Sequence, residues 1–403
     1  MRVTTAFNRI LAIPGASVTS VRFDEAGLIV VLRPRWRLLR CPCGHQARGR
    51  YDQRLRRWRH IDIAGLRVWL EAPVRRLRCQ ACGRVRTEEV AWARPGARHT
   101  RDVEDLVLWL AQRMDRTAVA RLLRISWEAA SAIIQRAVTD RLDPSRLVGV
   151  RRIGVDEVRY RYRRFLTLVV DHDTGAVIWV TEGKNAAALE AFYAAIGPGG
   201  AAAIEAVSMD LGNAYRVATE RAAPQARTCI DPFHLIQRAN KAVRDSIRWA
   251  RRTATLPMGR QHQRLTLALA KAAGSLTQDE QAMLAGLRRQ RSVIWRAWDL
   301  KEDLRGLYQL ADPTLAGAYL RRWSRRAVRS RIPPMLGLAR TIREHRDGII
   351  AAIELGISNA RLEGTASKVR LINHRGYGHH SIGALAAMIY LCCGTVATCL
   401  PHR

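Results

Sequence analysis

Five short apolar segments between Arg152 and Ile230 constrain the fold of this chain more than any other feature. Three of them, RIGVDEV, FLTLVVD and AVIWVTEG, follow one another closely, with the turn DHDTG between the last two. Short apolar runs bounded by turn residues predict strands, so we expect a meander. The segments IEAVSMD and ARTCI predict two further strands, each preceded by a predicted helix, AAALEAFYAAI or AYRVATERA. From Pro232 to about Leu355 the pattern is helical and rich in arginine. This order predicts an α/β sheet domain followed by an all-helical segment.

Three acidic residues stand at informative positions in this pattern. Asp156 is near the end of the first predicted strand, Asp210 ends the fourth, and Glu363 lies on a late predicted helix. That layout is typical of an RNase H-like polynucleotidyl transferase. Such a site uses carboxylates because two Mg²⁺ ions, ~4 Å apart, need hard oxygen ligands. A single Asp at a strand end is more often a helix cap, but the three together favour a catalytic site that binds Mg²⁺, with Mn²⁺ as a substitute ion.

The charge of the chain points to a polyanionic partner. Lys and Arg number 68 against 35 Asp and Glu, which leaves a formal charge of +33. Nucleic acid is the simplest partner for such an excess, and a membrane surface is the weaker alternative. The segment IGALAAMIYLCCGTVATCL is the most apolar run, and we interpret it as a buried helix against a sheet rather than a membrane span. The N-terminus has no secretory signal, so we expect a cytoplasmic protein that joins the nucleoid when it binds DNA.

Four of the eight cysteines form two close pairs. Cys41 and Cys43 lie in RCPCGH, and Cys79 and Cys82 lie in RCQACGR. Two Cys pairs, each followed by Gly, suit a structural zinc site with four thiolate ligands. The one-residue gap in the first pair is atypical, so His45 could replace Cys41 or Cys43. Ordinary buried thiols are the alternative interpretation.

Two features of the N-terminal part complete the prediction. The segments ASVTSVRF and GLIVVLRPR alternate polar and apolar residues and predict an antiparallel strand pair. The segment RTAVARLLRISWEAASAIIQRAV predicts a helix-turn-helix, with helices over 116–123 and 127–138 and Ser126 as the cap of the second helix. The predicted core residues are Ala118, Val119, Leu122, Ile125, Ile133, Ile134 and Ala137. This arrangement leaves Glu128, Ser131, Gln135 and Arg136 available to DNA. A plain helical hairpin remains the alternative.

Nearly the whole chain resembles the DDE transposases of bacterial insertion sequences, specifically the ISL-three family. The segments that carry the resemblance are IGVDE, VSMDLGNAY, DPFHLIQRANKAV and SNARLEGTASKVRLINHRGYG. The resemblance implies that Asp156, Asp210 and Glu363 are the catalytic, metal-binding triad. It also implies that Arg370, two helical turns after Glu363, contacts DNA, and we extend that role to the neighbouring Lys368.

Three polar residues near the triad have two open interpretations. Asp231 and His234 match the D-x-F-H element of the family, and Asn359 precedes Glu363 by four residues on one helix face. These residues could orient the metal ligands. For Asp231 and His234, helix capping and packing is the alternative.

We therefore expect a DNA transposase that binds the terminal inverted repeats of an insertion sequence and catalyses metal-dependent strand cleavage and strand transfer. Its partners would be double-stranded DNA, at the element ends and the target, and at least one further protomer on that DNA. The alternatives are a zinc and helix-turn-helix regulator with an inactive RNase H-like domain, or a nuclease that does not join. The predicted domains are a zinc-binding domain (1–97), a helix-turn-helix domain (98–147), and an RNase H-like domain (148–236 and 356–403) interrupted by a helical insertion (237–355) that supplies a basic DNA-binding surface.

Overall fold

The computed structural model describes residues 2–36, 38–41, 43–47, 50–253, 260–290 and 292–400. The chain forms two compact units. The first unit contains Met1–Leu142, His374–Cys392 and Val396–Arg403, and the second contains Asp143–Asn373 and Cys393–Thr395.

The first unit contains a five-stranded mixed β-sheet. Its elements and the small hairpin beside it are α1 (Val3–Leu11), β1 (Ala16–Asp24), β2 (Gly27–Pro34), β3 (Leu39–Arg40), β4 (Gln46–Ala47), β5 (Asp52–Ile63), β6 (Leu66–Arg78) and β7 (Val85–Thr87). The sheet order is β1-β2-β6-β5, and β7 pairs with β6. The antiparallel pairing of β1 with β2 confirms the predicted strand pair. Trp58 and Trp92 pack edge to face in the core of this sheet, with ring centroids 5.7 Å apart.

Three helices follow this sheet in the first unit: α2 (Arg101–Ala111), α3 (Arg116–Leu123) and α4 (Trp127–Arg141). The bounds of α3 and the start of α4 agree with the predicted helix-turn-helix. Val119, Ile133 and Ile134 are buried as predicted, but Leu122 is 59% exposed and does not join the core. Leu122 instead lines a cavity of about 230 Å³ that lies between β5, α2 and α3.

The second unit contains the predicted meander and the two predicted strand and helix pairs. Its first elements are β8 (Arg152–Arg161), β9 (Arg164–Asp171), β10 (Val177–Glu182), α5 (Ala186–Ala203), β11 (Ala206–Met209), α6 (Asn213–Ala222) and β12 (Arg227–Ile230). The sheet order is β10-β9-β8-β11-β12. Strands β8, β9 and β10 pair antiparallel, whereas β11 pairs parallel to both β8 and β12. Leu189 and Phe192 of α5 are fully buried against one face of the sheet.

A helical region follows β12, as predicted. Its helices are α7 (Pro232–Thr253), α8 (Arg260–Ala270), α9 (Gln278–Arg289), α10 (Val293–Arg305), α11 (Ala316–Arg329), α12 (Pro333–Glu344) and α13 (Arg346–Glu354). Trp323 lies at the centre of their core, which also includes Leu211 and Ile230 beside the sheet. The helices therefore share a core with the end of the sheet and do not form an independent body.

The last two helices are α14 (Ala360–Arg375) and α15 (Ile382–Cys393). We expected the whole of 356–403 to belong to one domain and the apolar tail to pack on a sheet. In the structure the chain from His374 to Cys392 belongs to the first unit. Side-chain hydrogen bonds explain this difference. Arg375 donates to the carbonyls of Ala111 and Gln112 at 3.0 Å, and the Gln112 side chain donates to the carbonyl of Leu391 at 2.9 Å. Among the described helices, none is both long and apolar enough to span a membrane.

Candidate active site

Asp156 lies on β8, and Asp210 lies at the end of the neighbouring parallel strand β11. Asp156 is in the middle of β8, since the strand continues to Arg161 and is longer than predicted. Asp210 directly follows β11, and its Oδ1 accepts a hydrogen bond of 2.8 Å from the backbone N–H of Gly212. Because side chains alternate along a strand, Gly154 and Asp156 share one face of β8, and Val155 packs on the opposite face in the core with α5 and α6. The two aspartates therefore occupy the middle of the sheet.

The acidic groups in this area influence one another. Burial raises the pKa of Asp156, the backbone N–H of Glu157 and the charges of His234 and Arg370 lower it, and the charge of Asp210 raises it. Burial also raises the pKa of the adjacent Glu157, and the charges of Asp210 and Asp156 act in the same direction. The side chains of His234 and Arg370 therefore lie near the carboxyl groups of Asp156, Glu157 and Asp210. The sequence interpretation did not include Glu157.

Helix α14 carries Glu363 in its first turn, and it packs directly on β8. A Cβ added to Gly154 would lie 2.3 Å from Cδ1 of Leu362, the residue before Glu363. Only glycine allows so close an approach of helix and strand. An isolated glycine in a strand is a recognised sign of such contact, so Gly154 could have been identified from sequence. The result is that the turn with Glu363 lies over the strand with Asp156.

The carboxylate of Glu363 is exposed. Within the part of the chain that the structure describes, the oxygen atoms of Asp156, Asp210 and Glu363 do not all lie within 4.8 Å of one another. The structure thus brings together the strands and the helix that carry the three acids. Their three carboxylates do not converge on one point.

A chain of hydrogen bonds connects the start of α7 to the start of α14. The buried Asp231 accepts at Oδ2 from the backbone N–H of His234 at 3.3 Å and contacts Nδ1 of its ring at 2.8 Å. Its Oδ1 accepts at 3.2 Å from the backbone N–H of Asn359. The Asn359 side chain in turn accepts from Ser208 Oγ, which lies 2.6 Å from Nε2 of His172. Asp231 therefore caps α7, as one interpretation predicted, and also holds the first residue before α14.

The charge of His234 depends on this network. The hydrogen bond to Asp231 raises the pKa of His234, burial opposes that effect, and the charges of Asp231, Asp210 and Asp156 raise it further. We had expected Asn359 to lie on one face of α14, but it lies one residue before the helix begins. Ser208 and His172 carry no motif that sequence analysis could have identified.

The basic residues of α14 lie on its exposed surface. Lys368 and Arg370 are both exposed, and Arg370 is close enough to Asp156 for its charge to lower the pKa of that carboxyl group. At the end of the helix, Asn373 donates a hydrogen bond of 2.9 Å to the carbonyl of Tyr160 on β8. Contacts at both ends thus fix α14 along β8.

The helix-turn-helix has the predicted turn and cap. Ser126 Oγ accepts from the backbone N–H of Ala129 at 3.1 Å and begins α4. Arg124 adopts the left-handed conformation, with φ of 51°, at the position where glycine is common. Its side chain bonds to Asp62 and to the carbonyl of Gly65, which holds the turn against the β5–β6 hairpin.

One predicted DNA contact, Ser131, is corrected by the structure. Ser131 is buried, and its Oγ accepts from Arg116 at 3.3 Å. The Arg116 guanidinium is itself buried over the ring of Trp127 at 4.6 Å, because it joins α3 and α4 from within. The residues Glu128, Gln135 and Arg136 remain exposed on α4.

The four cysteines predicted to bind zinc form one cluster. Their sulfur atoms all lie within 4.8 Å of one another, with Cys41 to Cys82 at 3.9 Å and Cys43 to Cys79 at 3.5 Å. A tetrahedral ion with bonds of ~2.3 Å to sulfur requires sulfur atoms ~3.8 Å apart, so the cluster fits zinc. The backbone N–H of Arg84 lowers the pKa of Cys82 to about 7 and that of His45 lowers the pKa of Cys43, whereas the pKa of Cys41 is raised. His45 supplies no atom to this cluster.

Comparisons with known proteins assign the same three regions. Residues 153–389 match the DDE model of the ISL3 family, described as a transposase. Residues 88–138 match the helix-turn-helix domain of transposase family ISL3. Residues 37–82 match the zinc finger of the transposases of IS204, IS1001, IS1096 and IS1165. The order of zinc finger, helix-turn-helix and transposase domain is the order predicted from sequence.

Similar proteins carry the same description. The chain is 35% identical over 442 residues to the transposase for insertion sequence element IS1557 of Mycobacterium tuberculosis, covering 100% of this chain and 98% of that protein. It is 25% identical over 358 residues to the transposase for insertion sequence element IS1001 of Bordetella parapertussis, covering 87% of this chain and 88% of that protein. These matches confirm the resemblance identified from sequence. The chain belongs to the ISL3 family of DDE transposases.

Proposed function

We propose that this transposase binds the terminal inverted repeats of its insertion sequence, cleaves the DNA strand there and joins the freed end to target DNA. The single observation that carries the proposal is the arrangement around β8. Asp156 on β8 and Asp210 just after the neighbouring β11 lie beside the helix with Glu363, and Arg370 on that helix lies close enough to lower the pKa of Asp156. Acidic and basic groups in one place suit a reaction on a phosphodiester.

The catalytic domain is proposed to be RNase H-like. An antiparallel meander followed by two strands parallel to its first strand, in the order β10-β9-β8-β11-β12, supports this assignment. The helical segment 237–355 is then an insertion between 148–236 and 356–373 of that domain, since most of the chain after Asn373 joins the first unit. The N-terminal domains, 1–97 and 98–147, would bind zinc and DNA.

Asp156, Asp210 and Glu363 are the residues that would hold two Mg²⁺ ions, with Mn²⁺ as a substitute. Their oxygen atoms are the hard ligands that Mg²⁺ prefers. When bound, such a pair of ions activates the attacking oxygen and stabilises the leaving oxygen of the phosphodiester. The exposed Glu363 can adjust its side chain toward the two aspartates, because no described neighbour holds its carboxylate by a hydrogen bond or ion pair.

The surrounding residues would position these acids and the DNA. Arg370 and Lys368 are placed to bind phosphate oxygens beside the site. Asp231 and Asn359 hold the start of α14, and through it Glu363, while the cationic form of His234 offsets the negative charges of Asp156 and Asp210. The protein would then act by positioning and by electrostatic stabilisation.

The first unit is proposed to recognise the element end. Gln135 and Arg136 are the exposed residues of α4 that we assign to base contacts, and Cys41, Cys43, Cys79 and Cys82 would hold a structural zinc. Pairing of two element ends requires at least two protomers on the DNA. Its DNA substrate would place the protein in the cytoplasm, at the nucleoid.

The test is the Glu363→Gln variant of the full chain, assayed on a labelled element end in Mg²⁺. The substitution keeps the size of the side chain and removes one metal-binding charge. We expect cleavage and joining to fall many-fold while a gel shift shows unchanged binding of the same DNA. An exposed ion-pair partner would contribute only ~0–1 kcal/mol, so its loss would leave cleavage nearly normal. Full cleavage by the Glu363→Gln variant would show that Glu363 is not a metal ligand. If the parent chain cleaved the DNA but did not join it, the protein would be a nuclease and not a transposase.

A further inference from the structure

A groove lined by arginines lies in the helical region of the second unit, between α11, α12 and α13. It encloses about 530 Å³. Its floor includes Leu320 and Ile342, both buried. Its walls carry five basic side chains, Arg321, Arg325, Arg329, Arg343 and Arg346, which we call the arginine groove. The proposed catalytic site does not use any of these residues.

Three of these arginines form a regular row on one face of α11. Arg321, Arg325 and Arg329 are four residues apart, which places them at intervals of ~6 Å along a row of ~12 Å. All three are exposed. One strand of duplex DNA carries a charge every ~3.4 Å along the helix axis, so the row spans three to four phosphates by this rough measure.

The arginine groove keeps most of its charge unpaired. In the described part of the chain, the side chains of Arg321, Arg325, Arg329 and Arg343 have no hydrogen-bond or ion-pair partner. Arg346 alone pairs with an acid, the 93% exposed Asp347. The next residue on α11 after Arg325 behaves differently, because Arg326 forms ion pairs with Asp299 and Asp303. Acidic residues therefore neutralise Arg326, whereas the groove remains positive.

Two guanidinium groups come close to each other inside the groove. Nη2 of Arg346 and Nη1 of Arg321 lie 3.2 and 3.7 Å from the point that a Cβ on Gly317 would occupy, so these two atoms are no more than about 7 Å apart. Like charges this close repel, and an anion between them would relieve the repulsion. A concave surface with such a charge is complementary to a polyanion.

One wall of the groove lies near the edge of the sheet where the acids are found. Helix α13 runs antiparallel to β12, since Glu354 pairs with Arg227 at the start of the strand and Gly348 approaches Ile230 at its end. Arg346 therefore lies near the carboxyl end of β12. Asp210 and Asp231 follow the carboxyl ends of the parallel strands β11 and β12 at this same edge.

We propose that the arginine groove binds the backbone of the DNA duplex that continues past the cleavage site, without regard to base sequence. The inference rests on the proposed function, because it assumes that the cleaved phosphate lies at the acids. The groove would thereby add affinity that the helix-turn-helix does not provide. Contacts to phosphates fix the position of a duplex and carry no sequence information.

The experiment uses the full chain in which Arg321, Arg325 and Arg329 are changed to Gln. Binding is measured by fluorescence anisotropy on two duplexes, one that stops at the end of the element and one that extends about one helical turn, ~10 base pairs, beyond it. We expect the parent to bind the longer duplex more tightly whatever the added sequence. The triple variant should bind the longer duplex about tenfold more weakly than the parent does and so lose this advantage. The slope of log affinity against log salt concentration should fall by ~1 for each lost phosphate contact.

The matched control is Arg326→Gln, which removes a positive charge from the same helix outside the groove. It should retain the advantage of the longer duplex. The single change Arg325→Lys, which keeps the charge, should retain most of it, and equal unfolding midpoints establish that the variants fold. An unchanged preference for the longer duplex in the triple variant would overturn the proposal and leave an acidic protein as the partner of the groove. An equal loss in Arg326→Gln would also overturn it, because the effect would then be one of total charge. Both outcomes leave the cleavage test of Glu363→Gln unaffected.

Discussion

His60 shows how burial of a single residue couples stability to pH. Its side chain is buried in the first unit, and Nδ1 lies 3.0 Å from Oγ of Thr100. Burial, together with the charge of Arg59, lowers the pKa of His60 to about 4. The carboxylate of Asp102 lies 3.8 Å from Nδ1, too far for a hydrogen bond. His60 is therefore neutral in the folded chain at neutral pH.

We predict that His60 makes the first unit less stable in acid. An unfolded histidine takes up a proton below pH ~6.5, whereas the folded one resists it down to about 4. The contribution of His60 is thus fully present above pH ~6.5 and is lost as the pH falls, by about 3 kcal/mol at most. His60→Gln cannot take up the proton, so its free energy of unfolding should depend less on pH between 7 and 4.5 in denaturant titrations followed by tryptophan fluorescence. Protonation of the cysteine cluster affects both proteins equally. Parallel pH profiles would contradict the assignment.

At the scale of elements, the contact of β8 with α14 is the feature on which the candidate active site depends. A Cβ on Gly154 would lie 2.3 and 2.7 Å from the two Cδ atoms of Leu362 and 3.0 Å from Nε2 of His172. Since these atoms are packed, a larger residue must push the helix away from the strand. Such a shift moves the first turn of α14, and Glu363 with it.

We predict that Gly154→Ala destabilises the second unit by about 1–3 kcal/mol through overpacking. Cleavage of an element end should fall by about a hundredfold, because a displacement of ~1 Å has that effect on a reacting site. Denaturant unfolding and the cleavage assay measure the two effects. The control is Gly364→Ala, beside Glu363 on the same helix, where an added Cβ meets nothing within 4 Å and alanine is the better helix former. The second change Leu362→Val should restore part of the loss, and no restoration would place the cause elsewhere.

At the scale of the whole molecule, the two compact units have separate sources of stability. The second unit contains two large apolar cores of its own. In the first unit, the region around the cysteines has only a small apolar cluster, which includes Leu39, Leu77 and the buried Cys41 and Cys79. A region with so small a core depends on its metal, because binding of the ion supplies folding free energy.

We predict that the purified chain contains one structural zinc, held by the four cysteines, and that its removal unfolds this region while the second unit remains folded. Metal analysis gives the zinc content, and limited proteolysis after chelation locates the unfolded region. Cys79→Ser should abolish zinc binding, whereas His45→Ala should retain it. Zinc lost from His45→Ala but kept by Cys41→Ser would instead include His45 among the ligands.

The sequence by itself determined the order of strands and helices between Arg152 and Ile230, the bounds of α3 and the start of α4, and the two close cysteine pairs. It did not predict β5 and β6, the longest strands of the first unit. The features that it determined have local causes. Apolar periodicity sets each element, Ser126 sets the start of α4, and the spacing of cysteines sets which thiols can meet one ion. Each of these features depends on residues that are close together in the chain, or on a motif whose residue spacing is fixed.

Only the tertiary structure decided which of these residues meet and which are exposed. Ser131, predicted to be exposed, is buried against Arg116, and Leu122, predicted to be buried, is exposed beside a cavity. The bond from Asn359 to Asp231 joins residues 128 positions apart, and no local pattern predicts it. The same holds for the approach of Leu362 to Gly154 and for the row of unpaired arginines above a groove. Burial and pairing depend on which surfaces pack together, and that is determined by the sum of many weak long-range contacts rather than by any single segment.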